Sequence, residues 1–252
     1  HVGFRANTFW MTYFLASVRC AEEAELVLSA GADIVDLKEP SAGALGAVAP
    51  AEIQNCLKTV RGRKPVSATV GDLPMVPDTI AEAVAATASL GVDTVKIGIQ
   101  PGGEVSGCLN ALRALRLHVD RVLVFFADAL PDMDALEAAE ASRATGVMLD
   151  TANKSRGSLI DHMPLADIER FVDRARRAGL QVGLAGSLRA RHVQPLLQLR
   201  PDVMGFRGAL CEQGSRGQGL DVAACTDIGR LVAGGLGDCT ARFEERMTLA
   251  MC

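Results

Sequence analysis

Lysine is scarce in this sequence, and most of it follows short apolar runs. The 252 residues contain 21 arginines but only five lysines. Three of these lysines, Lys38, Lys96 and Lys154, lie in or just after runs rich in Val, Ile and Leu. A guanidinium stays protonated, whereas a partly buried amine can lose its proton and attack a carbonyl carbon. We therefore interpret the three lysines as candidates for amine chemistry.

Two aspartates accompany these lysines. Asp36 precedes Lys38 by two residues, so both side chains point to the same side of a strand. Asp150 ends another apolar run and precedes Lys154 by four residues. Crowded ammonium groups lower one another's pKa and free one amine as a nucleophile, while carboxylates keep the others charged. The pattern predicts a catalytic group made of Lys38, Lys96, Lys154, Asp36 and Asp150.

The elements that must position these groups alternate along the chain. Continuous Val/Ile/Leu runs are typical of strands covered on both faces. The predicted strands are Tyr13–Val18, Ile34–Leu37, Val66–Val70, Thr94–Ile97, Val122–Phe126, Gly146–Leu149, Gln181–Leu184 and Val203–Gly205. Amphipathic stretches, several opening with Pro and several ending in Gly, predict helices between them. The predicted helices are Ala21–Ala30, Pro50–Thr59, Pro77–Leu90, Glu104–Leu117, Pro131–Ala141, Pro164–Ala178, Arg189–Leu197 and Val222–Ala233.

Eight such strand–helix units with no break in composition predict one α/β domain, a single (β/α)8 TIM barrel over residues 11–252. The alternative is an open doubly wound sheet, which usually has a Gly-rich first turn, and no such turn follows Val18. Residues 1–10 have little pattern and precede Met11, so we interpret them as a non-native or disordered extension. In a barrel the active site lies at the carboxyl ends of the strands, where the candidate lysines and aspartates fall.

The last two strand-to-helix loops predict a phosphate site. Gly186 and Ser187 follow the seventh strand, and Arg207 and Gly208 follow the eighth. In many barrels these two loops and a helix N-terminus hold phosphate. The Gly-Ser pair offers N–H groups and a hydroxyl, although it also suits a plain helix N-cap, and the arginine offers a fork of donors. A second phosphate could use the glycines of residues 41–46 or 98–103, which turns alone also explain.

Bulk properties exclude several classes of partner. The net charge is −4 without a basic block, so we expect no nucleic-acid partner. No apolar run reaches about 18 residues, so we expect no membrane span. The seven cysteines are scattered without a CxxC pair, which predicts neither a metal centre nor a disulfide framework and favours the cytoplasm. We expect no metal or other cofactor, and the subunit number stays open, with a homo-oligomer compatible with the sequence.

Three segments together resemble one known family. They are residues 36–46, 94–98 and 148–154, and the similarity extends from about Tyr13 to Val232. The family is that of the (5-formylfuran-3-yl)methyl phosphate synthases. The resemblance implies a TIM-barrel lyase of methanofuran biosynthesis that condenses two molecules of glyceraldehyde 3-phosphate, with loss of phosphate and water, through a lysine Schiff base. It also implies a role for each matching residue: Lys38 as the Schiff-base lysine, Lys96 as the proton-transfer lysine, and Asp36, Asp150 and Lys154 as the remaining charged active-site residues.

Two other functions remain compatible with the residues alone. A class I aldolase or isomerase acting on another small sugar phosphate would share the barrel, the lysine and the phosphate loops. A non-catalytic barrel that senses a phosphorylated metabolite would bind it without turnover. Three lysines facing one pocket disfavour the sensor, because a pure anion binder is better served by arginine.

Overall fold

The computed structural model describes residues 11–129 and 133–234. The predicted extension at residues 1–10, the end of the predicted domain at residues 235–252, and Pro131 at the start of the fifth predicted helix lie outside these residues. The strands are β1 (Tyr13–Val18), β2 (Ile34–Leu37), β3 (Val66–Thr69), β4 (Thr94–Ile99), β5 (Asp120–Phe126), β6 (Gly146–Asp150), β7 (Gln181–Leu184) and β8 (Val203–Phe206).

The strands form a closed barrel in chain order, β1 to β8, and every pairing is parallel. The barrel closes where β8 pairs with β1, with Gly205 opposite Leu15. Parallel neighbours require a crossover, and helices supply it after each strand. The prediction of a (β/α)8 barrel is confirmed.

The helices cover the outside of the barrel. They are α1 (Ala21–Ser29), α2 (Pro50–Val60), α3 (Pro77–Ser89), α4 (Val105–Ala114), α5 (Met133–Ala138), α6 (Leu159–His162), α7 (Leu165–Arg177), α8 (Ala190–Leu197) and α9 (Val222–Gly234). Helix α6 is an addition to the predicted set. It begins with a capping box in which Ser158 and Asp161 exchange hydrogen bonds, a pattern that the sequence already contains.

The two faces of each strand bury different chemistry. On β2 and β4 the outward residues Val35, Leu37, Val95 and Ile97 are fully buried, at 0% exposure, against the helix layer. The residues between them point into the barrel and are polar, because the side chains of a strand alternate between its faces. The hydrophobic effect therefore fixes the register of these strands, and the register places Asp36 and Lys96 inside.

Glycines on the inner face make room for the few large side chains in the barrel. A Cβ added at Gly183 would lie 2.5 Å from Met148 Cε, and one added at Gly98 would lie 2.9 Å from Leu45 Cδ1. Met148 and Leu45 belong to a small apolar cluster within the barrel, together with Phe126. This cluster fills the part of the interior that the charged residues leave.

Candidate active site

The deeper of two charged clusters is centred on Asp36, which is fully buried. Asp36 accepts hydrogen bonds from the Ser17 hydroxyl at 2.8 Å, the Ser67 hydroxyl at 2.6 Å and the Lys96 ammonium at 3.0 Å. Burial on its own would raise the pKa of Asp36, but the charges of Lys96 and Lys38 and the bond from Ser67 lower it below its usual value. The carboxylate is therefore ionised and is paired with one ammonium. We call Asp36, Lys96, Ser17 and Ser67 the lower cluster.

Nearer the mouth of the barrel, Asp150 lies between two amines. Lys154 Nζ donates to Asp150 Oδ1, and Lys38 Nζ lies 3.7 Å from Asp150 Oδ2. The backbone N–H of Thr151 also donates to Asp150, at 2.7 Å. In the described part of the chain, the Lys38 amine has no hydrogen-bond acceptor within reach. We call Lys38, Asp150 and Lys154 the upper cluster.

The surroundings of the Lys38 amine lower its pKa, which makes the neutral form more abundant. Burial, together with the charges of Lys154 and Lys96, lowers its pKa from 10.5 to about 8 against the opposing effect of Asp150 and Asp36. An amine with a pKa near 8 is neutral in a substantial fraction of molecules near neutral pH. A neutral amine is a nucleophile, whereas an ammonium is not.

Burial also affects the two partners of Lys38, and of these Asp150 keeps its charge. Burial would raise the pKa of Asp150, but the charges of Lys154 and Lys38 and the two hydrogen bonds that it accepts lower it to about 2. Burial lowers the pKa of Lys154, and Arg216 adds to this while Asp150 opposes it. Asp150 is thus a permanent anion beside two amines, of which Lys154 is held directly.

All three lysines line one cavity of about 190 Å³ at the carboxyl ends of the strands. Asp150 lines it as well, and Asp36 lies beneath it behind Lys96. The volume is below the roughly 300–1,000 Å³ of sites for drug-sized ligands and suits a small metabolite. The five residues predicted from sequence are therefore brought together, in two layers.

Part of the loop after β2 packs into the barrel without lining this cavity. Leu45 turns back into the barrel and is fully buried, and its N–H donates to the Asp72 carboxylate at 3.2 Å. Gly46 follows it, and a Cβ there would lie 2.2 Å from the carbonyl oxygen of Glu39. The glycines of residues 41–46 serve this inward packing, and neither they nor residues 98–103 line the cavity.

The loop after β7 has the form of an anion cradle. Gly186 and Ser187 both have positive φ, at 103° and 47°, a backbone conformation that can present successive N–H groups on one side of a loop. Within the described residues, the N–H groups of Gly186, Ser187 and Leu188 have no acceptor. All three residues line the cavity, as does Gly208 after β8. The Ser187 hydroxyl donates to the carbonyl oxygen of Lys154 at 3.3 Å, which ties the cradle to the upper cluster.

Arg207 lines the cavity, but its guanidinium is used by the protein. It donates to both carboxylate oxygens of Glu23 and to the carbonyl oxygens of Ser17, Arg216 and Gln218. These five bonds use all five N–H groups of an arginine. The sequence-based expectation that Arg207 binds phosphate directly therefore has no free donor to rest on. Its partner Glu23 is 184 residues away in the chain, so local sequence carries no sign of it.

Two other arginines line the cavity that the sequence did not single out. They are Arg189, just after the Gly-Ser cradle, and Arg216, in the loop after β8. The sequence signal for Arg216 is its place in Gly214-Ser-Arg-Gly217, where small residues flank one cation beyond a strand end.

Several other polar residues are structural. Asp128, after β5, accepts the N–H groups of Ala152 and Asn153 at 2.7 Å each and so shapes the loop after β6. His192 accepts the N–H of Arg189 at 3.2 Å and caps helix α8. Across residues 11–129 and 133–234, no three His, Cys, Asp or Glu side chains come together as a metal site. None of the helices described there has the length and apolar character of a bilayer crossing.

Comparison with known proteins finds one family. The model of the 4-HFC-P synthase family matches residues 14–228. The (5-formylfuran-3-yl)methyl phosphate synthase of Methanopyrus kandleri is 37% identical over 210 residues, which cover 79% of this chain and 89% of that protein. The enzyme of the same name from Archaeoglobus fulgidus is 35% identical over 211 residues, with 79% and 90% covered.

Solved structures share the fold at low sequence identity. The 3-hexulose-6-phosphate synthase of Salmonella typhimurium aligns with a TM-score of 0.63 at 14% identity, over 88% of this chain and 98% of that chain. The phosphoribosyl anthranilate isomerase of Thermus thermophilus aligns with a TM-score of 0.62 at 14% identity, over 89% and 99%. These similarities establish the barrel and leave the chemistry to the residues within it.

Proposed function

Because this chain belongs to the 4-HFC-P synthase family, we propose that it condenses two molecules of glyceraldehyde 3-phosphate into (5-formylfuran-3-yl)methyl phosphate. Counted in atoms, the reaction releases one phosphate and two molecules of water. The pathway served would be methanofuran biosynthesis, as the sequence resemblance implies. Elimination of phosphate would make the enzyme a carbon–oxygen lyase.

The observation that carries the proposal is the state of Lys38. Its amine has a pKa of about 8 and lies 3.7 Å from a permanently charged carboxylate, in a cavity that also contains an anion cradle. A nucleophilic amine and a phosphate site in one small cavity fit a phosphorylated aldehyde as substrate.

The first chemical step follows from this geometry. The neutral Lys38 amine adds to the aldehyde carbon of one triose phosphate, and loss of water gives an iminium ion. The iminium withdraws electrons, so the neighbouring C–H becomes acidic and a base can remove its proton. The electron pair of that C–H bond then forms a double bond as the C–O bond to phosphate breaks, and phosphate leaves with that bonding pair. Bond formation with the second triose phosphate, ring closure and dehydration complete the furan.

The other charged residues have positions that suit supporting roles. Lys154 donates a hydrogen bond to Asp150, and both residues face the cavity. Lys96 presents its ammonium from below while Asp36 holds it. In this proposal Lys96 and Lys154 move protons to and from the substrate, and Asp36 and Asp150 orient and tune the amines.

The product tests the proposal directly. Purified protein incubated with glyceraldehyde 3-phosphate alone should form a furan aldehyde, which absorbs in the ultraviolet, together with one inorganic phosphate for each furan. A simple aldolase or isomerase would give neither the chromophore nor the phosphate. A binding protein would leave the substrate unchanged, and either of these results would overturn the proposal.

The nucleophile is tested by reduction. Borohydride added during turnover should attach the substrate carbon chain to Lys38, and mass spectrometry of the digested protein should locate it there. The matched control is Lys64→Arg, which changes a half-exposed lysine paired with Asp33. That variant should be labelled at Lys38 like the wild type. An adduct at another lysine would remove Lys38 as the Schiff-base residue.

A further inference from the structure

We propose that Arg216 is the arginine that binds the phosphate of the substrate, and that Arg207 and Arg189 position the loop that carries it. This inference deepens the proposed function, on which its substrate class rests. It assigns the recognition of a phosphomonoester to a residue outside the Gly-Ser cradle and outside the strand ends.

The loop of residues 211–220 is held by arginines from three directions. Arg207 donates to the carbonyl oxygens of Arg216 and Gln218, at 3.2 and 3.1 Å. Arg189 donates to the carbonyl oxygen of Gly214 at 2.8 Å, and Arg19 donates to that of Gly217 at 3.3 Å. The loop is closed at its base by an antiparallel bridge between Cys211 and Leu220.

Arg207, which holds this loop, forms a buried ion pair with Glu23. Arg207 is 7% exposed and its partner Glu23 is also 7% exposed. Removing one member of such a pair leaves an unpaired buried charge, so the pair fixes the loop strongly. A loop that three guanidiniums hold by its backbone carbonyls presents its remaining side chains in fixed places. One of these side chains is Arg216.

Arg216 itself retains donors. Its Nη2 donates to the carbonyl oxygen of Gly43, at 2.8 Å, in the loop after β2. Within residues 11–129 and 133–234, Nε and Nη1 of Arg216 have no hydrogen-bond acceptor. The side chain is half-buried and lines the cavity. Arg216 can therefore keep its anchor across the mouth of the barrel and still offer N–H groups to a phosphate.

The charges around Arg216 favour an anion at this place. The cavity is lined by three lysines, Arg189 and Arg216, while the carboxylates that act on these five cations in the described structure are Asp150, Asp36 beneath it and, at Arg216, also Asp72. Cations thus exceed carboxylates, and Glu23 is already matched to Arg207. A phosphomonoester near pH 7 carries a charge of about −1.5 to −2, which offsets this excess.

Binding of inorganic phosphate tests the assignment without any reaction. In calorimetric titrations of the full chain, Arg216→Gln should bind inorganic phosphate about ten- to a hundredfold more weakly than the wild type, because charge-assisted hydrogen bonds are lost. Arg170→Gln is the matched control, since Arg170 is a 73% exposed side chain on α7. It should bind like the wild type.

Further variants separate binding from folding. Arg216→Lys retains the charge but loses the planar fork, so its affinity should fall between those of the wild type and Arg216→Gln. Its thermal unfolding should match that of the wild type. Wild-type affinity in either Arg216 variant would overturn the assignment, as would a wild-type protein that does not bind phosphate at millimolar concentration. Loss in Arg189→Gln alone would transfer the role to Arg189.

Turnover gives a second readout. If the protein makes the furan, Arg216→Gln should lower kcat/KM for glyceraldehyde 3-phosphate, because a contact that stabilises the transition state relative to the free substrate is lost. If no furan is made, the phosphate titrations still stand, so failure of the proposed condensation and failure of the Arg216 assignment give different results.

Discussion

The lower and upper clusters use the same two charged residue types in different ratios. In the lower cluster one carboxylate, Asp36, faces one ammonium, Lys96, and two hydroxyls complete its hydrogen bonds. In the upper cluster one carboxylate, Asp150, lies between Lys38 and Lys154 and holds Lys154 directly. The lower cluster has one amine for its carboxylate, whereas the upper cluster has two amines for one carboxylate.

This difference explains how lysines in one barrel can do different work. In the lower cluster the Lys96 ammonium has a carboxylate of its own, to which it donates a hydrogen bond of 3.0 Å. An amine that shares a carboxylate with a closer competitor has less to hold its proton, and burial then lowers its pKa. Lys38 is that amine, with a pKa of about 8. Under the proposed function, this ratio of carboxylates to amines would make Lys38 the nucleophile.

Replacement of Lys38 should have the largest effect on turnover. Arginine in the variant Lys38→Arg preserves the positive charge but cannot form the iminium, so kcat should fall by about 10⁴-fold or more. Borohydride should then trap no substrate. Steady-state assays of furan formation and mass spectrometry of the reduced protein measure both effects.

One result would contradict the assignment of the reactive amine to the upper cluster. If Lys38→Arg still formed the adduct on Lys96, the lower cluster would supply the nucleophile and the charge-ratio argument would be wrong. Lys64→Arg controls for the loss of a lysine, because Lys64 pairs with Asp33 on the outside of the barrel. It should retain wild-type turnover.

Removal of each carboxylate should separate the clusters by stability. Asp36→Asn leaves the Lys96 ammonium buried at 2% exposure without its partner, which should lower the free energy of unfolding by about 3–5 kcal/mol. Asp150→Asn should cost less, because Lys38 can lose its proton and the Lys154 side chain, 13% exposed, reaches the cavity. Unfolding in urea at pH 7, read by circular dichroism, measures both losses.

Glu25→Gln is the control for these stability measurements. Glu25 pairs with Arg63 at the surface, and exposed pairs of this kind contribute little. Its unfolding midpoint should be that of the wild type. Equal losses in Asp36→Asn and Asp150→Asn would show that the two carboxylates carry equivalent charges, and the contrast between matched and unmatched clusters would have no energetic basis.

The pH dependence of Lys38 gives a finer test of the upper cluster. The amine reacts only when neutral, so its acetylation by acetic anhydride should rise with pH through a midpoint near 8. Asp150 favours the protonated form, so Asp150→Asn should move this midpoint to lower pH, by about one unit or more. Mass spectrometry of the Lys38 peptide follows the labelling. The exposed Lys58 is an internal standard, and its labelling should be the same in both proteins.

The barrel and the two clusters were predictable from sequence because local pattern carries them. Outward Val, Ile and Leu on β2 and β4 fix which residues face inward, so Asp36 and Lys96 follow from alternation alone. Strand bounds shifted by at most a few residues, as with β4, which extends to Ile99 rather than Ile97. In such positions local preference and tertiary packing agree.

The roles of the loop residues could not be predicted, because they depend on contacts with residues far away in the sequence. Arg207 has the spacing of a phosphate ligand, but Glu23 and three backbone carbonyls of distant segments bind it. Leu45 packs inside the barrel, where Asp72, 27 residues later, accepts its N–H. Only the folded barrel determines which arginine retains N–H groups for a ligand and which one uses them to hold a loop.

The smallest expected effect comes from one hydroxyl of the lower cluster. Ser67→Ala removes the 2.6 Å hydrogen bond to Asp36 but leaves the bonds from Ser17 and Lys96 in place. Unfolding in urea should show a loss of about 1.5 kcal/mol, at the lower end for a hydrogen bond to a charged group, because two other donors still bind Asp36. Ser89→Ala, which removes an exposed hydroxyl from α3, should show no such loss. The acetylation midpoint of Lys38 should stay where it is, since Asp36 remains ionised by Lys96. A shifted midpoint would mean that the lower carboxylate tunes the upper amine as strongly as Asp150 does, and the two clusters would then have to be treated as one.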